Sequence, residues 1–150
     1  MTRLAAFVLA LASVFVPAVE PAIAQGQAGP LIVQNAWMRA VPGADTAAVY
    51  LVLKNTGTQP VIVVGVNSPA ASHVMVHETS NVNGQSQMRM HDKLVVAPGQ
   101  SVSFQPGGLH IMLSGMKKRI TIGQTVPLIL LLANGGPVQV AAIVRPLDAQ

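Results

Sequence analysis

Histidine and methionine are concentrated in one part of this chain. Its four histidines (His73, His77, His91 and His110) and five of its seven methionines fall between residues 73 and 116, and the 150 residues include no cysteine. Thioethers beside imidazoles suit Cu(I), whereas a zinc site combines imidazoles with thiolates or carboxylates. The composition therefore favours a soft-metal site in this window.

The spacing of these residues pairs them on strand faces. His110 and Met112 are two residues apart in a short apolar run, and Met88 and Met90 have the same spacing. A β-strand turns residues i and i+2 to the same face. Strand structure would therefore present His110 with Met112, and Met88 with Met90.

Asn83-Gly84, between His77 and Met88, is a strong signal for a tight hairpin turn. If these two residues form the loop, His77 faces Met90 and Met88 is its diagonal neighbour. If the turn centres one residue earlier, His77 faces Met88 directly. Both registers place the three side chains on one face, whereas a one-residue slip would send Met88 to the other face.

The remainder of the chain predicts short strands separated by Gly, Pro and Asn turns. Candidate strands cover residues 31–39, 47–54, 61–67, 73–79, 87–91, 93–96, 101–105, 109–114, 125–132 and 138–144. Their close spacing, without an apolar stripe of helical period, predicts an all-β antiparallel sandwich or barrel. Pro127 is expected at a strand start or an edge, because it cannot donate to a central ladder.

The N-terminus has the composition of a secretory signal peptide. Arg3 precedes an apolar run over residues 4–16, and small residues at 22–24 offer a cleavage site. A retained membrane anchor is the alternative, but a spanning helix needs about 20 apolar residues and Pro17 interrupts this one. We expect residues 1–24 to be removed on export, leaving no stable membrane insertion.

After the signal peptide, residues 25–32 are predicted to be a flexible leader and residues 33–150 a single β-domain. The absence of cysteine removes disulfides, cysteine nucleophiles and the thiolate that a blue-copper electron-transfer site needs. The sequence has no HExxH motif, which argues against a zinc hydrolase. With one Trp, one Tyr and three Phe, few rings could stack on nucleic acid. The alternative hypothesis that the protein is a structural β-sandwich, with methionine used only for packing, stays open.

The formal net charge of +4 is modest and fits a solvated surface. Lys117-Lys118-Arg119 follows the His110-x-Met112 run directly. We interpret it as a solvated turn, with steering onto an acidic partner as the alternative hypothesis.

The spacing of the candidate ligands resembles the His-x10-Met-x21-His-x-Met signature of the periplasmic copper chaperone family PCuAC, formerly DUF461. His77, Met88, His110 and Met112 meet both gap lengths. Further segments look like family segments and extend the resemblance from about residue 33 to residue 144: residues 36–39, 47–51, 55–57, 77–79, 106–113 and 125–128.

The resemblance implies a cupredoxin-like, immunoglobulin-type β-sandwich without enzymatic activity, located in the periplasm. It also implies one Cu(I) per chain, held by His77, Met88, His110 and Met112. Delivery to the CuA site of cytochrome c oxidase would follow, with subunit II or Sco-type assembly proteins as partners. That the two His/Met pairs converge on one ion rests on this resemblance.

Some relatives carry a His- and Met-rich C-terminal tail that adds a Cu(II) site. Residues 145–150 have neither residue type, so no tail-based second site is expected here. His73 and His91 are interpreted as surface residues, with capture of Cu(II) near the main site as the alternative. Whether Met75 or Met90 can substitute for Met88 stays open.

Overall fold

The computed structural model describes residues 27–39, 41 and 43–148, so the predicted signal peptide lies outside the described residues. Regular structure in this part is entirely β-strand, and no helix in it could span a membrane. The strands are β1 (Gln27–Ala28), β2 (Leu31–Arg39), β3 (Thr46–Asn55), β4 (Val61–Asn67), β5 (Ala71–Val82), β6 (Gln85–His91), β7 (Leu94–Val96), β8 (Ser101–Ser103), β9 (Leu109–Met116), β10 (Thr125–Leu132) and β11 (Val138–Arg145). Each predicted strand is present among β2 to β11.

The strands form one hydrogen-bonded path in the order β6-β5-β9-β3-β2-β11-β10-β4-β7. Within the described residues β1 adds to β2 and β8 to β3. The β11–β2 pair is parallel, with Ile143 opposite Trp37, whereas the other pairings described are antiparallel. The predicted all-β sandwich is confirmed, with this one parallel pair inside it.

The core forms because alternate strand residues point inward. In β3, Val49, Leu51 and Leu53 are almost completely buried, and Ile111 and Leu113 of β9 pack with them. This alternation leaves the even-numbered residues of both strands for the outer face. His110 and Met112 of β9 are therefore outside the apolar core, whereas Met116, which follows the positive φ of Gly115, packs against it.

Strand β1 lies inside the segment predicted to be a flexible leader. Gln27 and Ala28 pair with Ile32 and Leu31, and the side chain of Leu31 is completely buried. Burial of a leucine contributes about 1.5–3 kcal/mol, which fixes the start of β2.

A bulge in β2 decides which of its residues face the core. Asn35 has a positive φ of 53°, and the register with β3 shifts between Gln34 and Trp37. Because a bulge inserts one extra residue, Val33 and Met38 both face inward despite their odd spacing. Trp37 consequently lies on the outer face.

Pro127 lies near the start of β10 and is paired with Ala141 of β11. The pairing of β10 with β4 begins only at Ile129, so Pro127 interrupts no ladder on that side. Its carbonyl instead accepts a hydrogen bond from Ser68 Oγ at 2.6 Å. This is the open position near a strand start that the sequence predicts.

Candidate metal centre

The β5–β6 hairpin has the two-residue loop that Asn83-Gly84 predicts. Asn83 has φ 53° and Gly84 has φ 79°, the positive values that a type I′ turn requires at both central positions. His77 therefore lies opposite Met90, and Thr79 lies opposite Met88. Of the two registers that the sequence leaves open, this is the one in which Met88 is the diagonal neighbour of His77.

Strand β9 lies directly beside β5 and brings the second His/Met pair to the first. His77 is opposite His110, and Met75 is opposite Met112. The two imidazole rings meet edge to face, with centroids 5.8 Å apart and planes at 83°. The outer face of these strands therefore carries both histidines with thioethers on either side.

The predicted residues are not equally close to one another. Cβ atoms of directly opposed residues lie about 5 Å apart, and those of diagonal neighbours about 7–8 Å. His77 and His110 are directly opposed, and Met112 is two residues along β9 from His110. Met88 is diagonal to His77 toward the hairpin turn, whereas Met90 is directly opposite His77.

Ring nitrogens of both histidines have the state that a metal needs. His110 is buried, and its Nδ1 donates to the carbonyl of Gly108 at 3.0 Å. Because a carbonyl only accepts, the hydrogen is on Nδ1, and Nε2 is the ring nitrogen left for a metal. His77 Nδ1 is buried and has no hydrogen-bond partner in the described part of the chain. Desolvation by burial, and then the nearby His110, lower the pKa of His77, which keeps it neutral at neutral pH.

The methionines on this face are too exposed to serve only as packing. Met88 is 57% exposed, Met90 56% and Met75 37%, whereas Met38 in the core is completely buried. Exposing an apolar thioether gives up the free energy of burial that a core methionine contributes. The packing interpretation therefore does not account for these three side chains.

The two remaining histidines lie in different environments. His91 Nε2 is 2.9 Å from Glu78 Oε2, and His91 is opposite Val76, whose side chain is in the core. Strand alternation therefore places His91 and Glu78 on the face opposite to His77. His73 is exposed on the same face as His77.

Among the described residues, no three His, Cys, Asp or Glu side chains are grouped closely enough to hold a metal ion. Carboxylate-rich sites, which suit hard ions, and sites of three imidazoles therefore have no candidate in this part of the chain. An ion between His77 and His110 would have to draw its further ligands from the thioethers.

Arginine and aromatic side chains border the histidine pair on the β3 side. The Trp37 and Tyr50 ring centroids are 4.7 Å apart, Arg39 stacks 5.7 Å from Tyr50, and Arg145 stacks 5.4 Å from Trp37. Tyr50 follows Val49, which is opposite the residue after His110. The sequence analysis does not identify this cluster as a unit, because the β2 bulge and the β11–β2 pairing create it.

The basic tripeptide Lys117-Lys118-Arg119 is exposed but lies beyond the far end of β9 from His110. Met116 is six residues along β9 from His110, a span of about 20 Å. This exceeds the Debye length of about 8 Å at physiological ionic strength. The tripeptide therefore has little electrostatic influence at the histidine pair.

Residues 31–144 match the family described as "Putative lipoprotein LpqE-like". The curated "Putative lipoprotein Lxx21020" of Leifsonia xyli subsp. xyli is 37% identical over 120 residues, which are 79% of this chain and 72% of that protein. The chain belongs to the LpqE-like family. This family is of the PCuAC type, so the resemblance inferred from the ligand spacing is confirmed.

Solved structures with the same fold include PCuAC domains. The solution structure of CuI-DR1885 from Deinococcus radiodurans is 34% identical, with a TM-score of 0.65 over 79% of this chain and 80% of that one. The apo PmoF2 PCuAC domain matches with a TM-score of 0.71 at 24% identity, over 85% of this chain and 98% of that one. The copper-bound PCuAC domain from PmoF2 matches with a TM-score of 0.69 at 23% identity, over 82% and 98%. The last two establish the shared β-sandwich fold of this LpqE-like protein.

Proposed function

We propose that this LpqE-like protein is an exported Cu(I) carrier without enzymatic activity, which binds one ion through His77, Met88, His110 and Met112. The observation that carries the proposal is the direct apposition of His77 and His110 across β5 and β9. Both rings have a nitrogen available, and thioethers share their face. The copper-bound PmoF2 domain and CuI-DR1885 support copper as the cargo.

The chemistry of this ligand set suits a carrier. Thioethers are neutral and need no deprotonation, so they select Cu(I) over harder ions without holding it as strongly as thiolates. Release to an acceptor that contains cysteine is then downhill. Because Met88 is more than half exposed, an acceptor's ligands can approach the ion from that side before the histidine ligands dissociate.

We place the carrier in the periplasm. The signal-peptide pattern of residues 1–24 supports export, and the lipoprotein name given to the family and to the Leifsonia relative points to the cell envelope. Lipid attachment through a cysteine thiol is not carried over, because the 150 residues contain no cysteine. The acceptor proposed is the CuA site of cytochrome c oxidase, reached through subunit II or a Sco-type assembly protein.

Competition for Cu(I) against a chromophoric chelator, with X-ray absorption of the loaded protein, tests the site. Met88→Leu and Met112→Leu should each weaken binding at least about tenfold and lower the sulfur scattering, because each removes a donor. Met116→Leu, on the same strand but packed against the core, is the matched control and should bind as the parent does. Nitrogen and oxygen scattering alone would contradict the proposal.

A separate experiment tests the acceptor. The Cu(I)-loaded protein is mixed with the apo soluble domain of oxidase subunit II, and copper is measured in each after separation. We expect net transfer to the cysteine-containing domain. If the carrier keeps its copper in the presence of the oxidase domain but transfers it to a Sco-type protein, the step is assigned to that partner. If it keeps its copper in the presence of either protein, the delivery proposal is contradicted.

A further inference from the structure

Strand β5 repeats the ligand spacing of β9. His73 and Met75 are two residues apart, as are His110 and Met112, and all four lie on the same outer face. Because the strands are antiparallel with Met75 opposite Met112, the two sulfurs have a histidine pair on one side and His73 on the other. The face therefore carries a second imidazole-thioether pair that the PCuAC-type signature does not include.

This second pair is accessible from solvent. His73 is exposed and Met75 is 37% exposed. Strand β6 ends at His91, opposite Val76, so within the described residues no strand pairs with residues 71–75 of β5 on that side. An open cleft of about 260 Å³ adjoins this edge, and Met75 and Met90 are in its lining.

We propose that His73 and Met75 form a second, weaker Cu(I) subsite, which shares Met112 with the His77/His110 site and serves as its entry and exit position. The inference rests on the proposed function of Cu(I) carriage. Cβ atoms two residues apart on a strand are about 7 Å apart, and those of Met75 and Met112 about 5 Å, so flexible thioethers can reach an ion from either side. One imidazole with two thioethers offers fewer nitrogen donors than the main site.

Sharing Met112 explains how the two positions would work together. An ion at the outer subsite is already bound to Met112, which is two residues from His110, so it can exchange ligands one at a time without leaving the protein. The two positions compete for this sulfur and their charges repel. The second equivalent should therefore bind at least about tenfold more weakly than the first.

Methionine labelled with 13C at the ε-methyl reports each sulfur separately. The mature protein is titrated anaerobically with Cu(I), and with Ag(I) as a soft monovalent ion that undergoes no redox change. The first equivalent should shift the Met88 and Met112 methyls, and the second should shift the Met75 methyl. Met38, completely buried in the core, is the internal reference and should not move.

Variants decide whether the second step belongs to this pair. Met75→Leu and His73→Asn should abolish the second step and leave the first, while amide spectra report the fold. His91→Asn is the matched control, because His91 pairs with Glu78 on the other face, and it should leave both steps unchanged.

Three results would overturn the subsite. The first two are absence of a second step in the parent protein and movement of Met75 with the first equivalent, which would make it a ligand of the main site. A second step that persists in the His73→Asn, Met75→Leu double variant would do the same. Failure of the Cu(I) carrier proposal looks different, since the first equivalent would then leave Met112 unshifted.

Discussion

His77 and His110 are opposed on neighbouring strands, yet their ring nitrogens are used differently. Gly108 fixes the orientation and tautomer of His110 by accepting from Nδ1, which is a common way to hold a metal-binding imidazole ready. His77 has a buried Nδ1 without a hydrogen-bond partner among the described residues. In the proposed site, an oriented imidazole would therefore lie beside one whose Nδ1 has no competing hydrogen bond.

Cu(I) affinity should fall in mild acid. Protons compete with the metal for imidazole nitrogen, and the lowered pKa of His77 delays its part of this competition to below its ordinary value of about 6.5. We expect weakening between about pH 6.5 and 5, measured by chelator competition at constant ionic strength. An affinity that is flat between about pH 7 and 5 contradicts imidazole coordination.

Without copper, the same histidine should make the free energy of unfolding depend on pH. The pKa of His77 is lower in the folded protein, so the unfolded chain binds the proton more readily. Stability is therefore undiminished above about pH 6.5 and decreases as the pH falls through that value. In urea unfolding of the apo protein between pH 7.5 and 5, His77→Gln should reduce this slope. Met88→Leu removes no titrating group and should keep the slope of the parent protein. An unchanged slope in His77→Gln would contradict the lowered pKa of His77.

At the scale of elements, the β5–β6 hairpin and β9 together build the face. The I′-type turn at Asn83 and Gly84 sets a register in which Met88 and Met90 share the face of His77. Successive strand residues point to opposite faces, so a change of parity removes a side chain from the site without changing composition. Strand parity is therefore the property of the hairpin that can be tested.

Exchanging Met88 and Arg89 moves the thioether to the other face of β6 and leaves the composition unchanged. If Met88 is a ligand, this exchange should weaken Cu(I) binding by about as much as Met88→Leu, at least about tenfold. Exchanging Ser86 and Gln87, which are exposed in the same strand, is the control and should have no effect. If the exchange of Met88 and Arg89 leaves Cu(I) competition against the chelator unchanged, the thioether ligand belongs to another methionine.

At the scale of the whole molecule, Asn55 joins segments that are distant in the chain. It is completely buried at the end of β3, and its Nδ2 donates to the carbonyls of Val96 at 2.9 Å and Gln59 at 2.8 Å. Its Oδ1 accepts from the backbone N–H of Gly57 at 2.9 Å. The residue ties β3 to β7 and to the following loop, far from the histidine face.

Asn55→Ala should lower the free energy of unfolding by about 2–4 kcal/mol, because it leaves several buried polar backbone groups without partners. Cu(I) affinity measured well below the melting temperature should stay within about twofold of the parent, since additivity holds for distant sites. Urea unfolding and chelator competition give the two values. Lys54→Ala, at the exposed neighbouring position, is the control. A large loss of affinity in folded Asn55→Ala would show that the site depends on this end of the sandwich.

The sequence by itself determines the parts of this protein that depend on local periodicity. Turn residues and alternation locate the strands, the spacing of His110 and Met112 puts them on one face, and Asn83-Gly84 closes the hairpin. These features follow from backbone geometry over a few residues, which is why they can be predicted.

Only the tertiary structure decides which strands are neighbours. β9 follows β6 by two short strands but lies on the opposite side of β5, and this long-range pairing places His110 against His77 and Met112 against Met75. It likewise assigns His91 to the other face with Glu78. Side-chain period constrains the face within a strand, whereas strand order depends on how the whole apolar core closes. For that reason the apposition of His77 with His110 becomes visible only in the folded molecule.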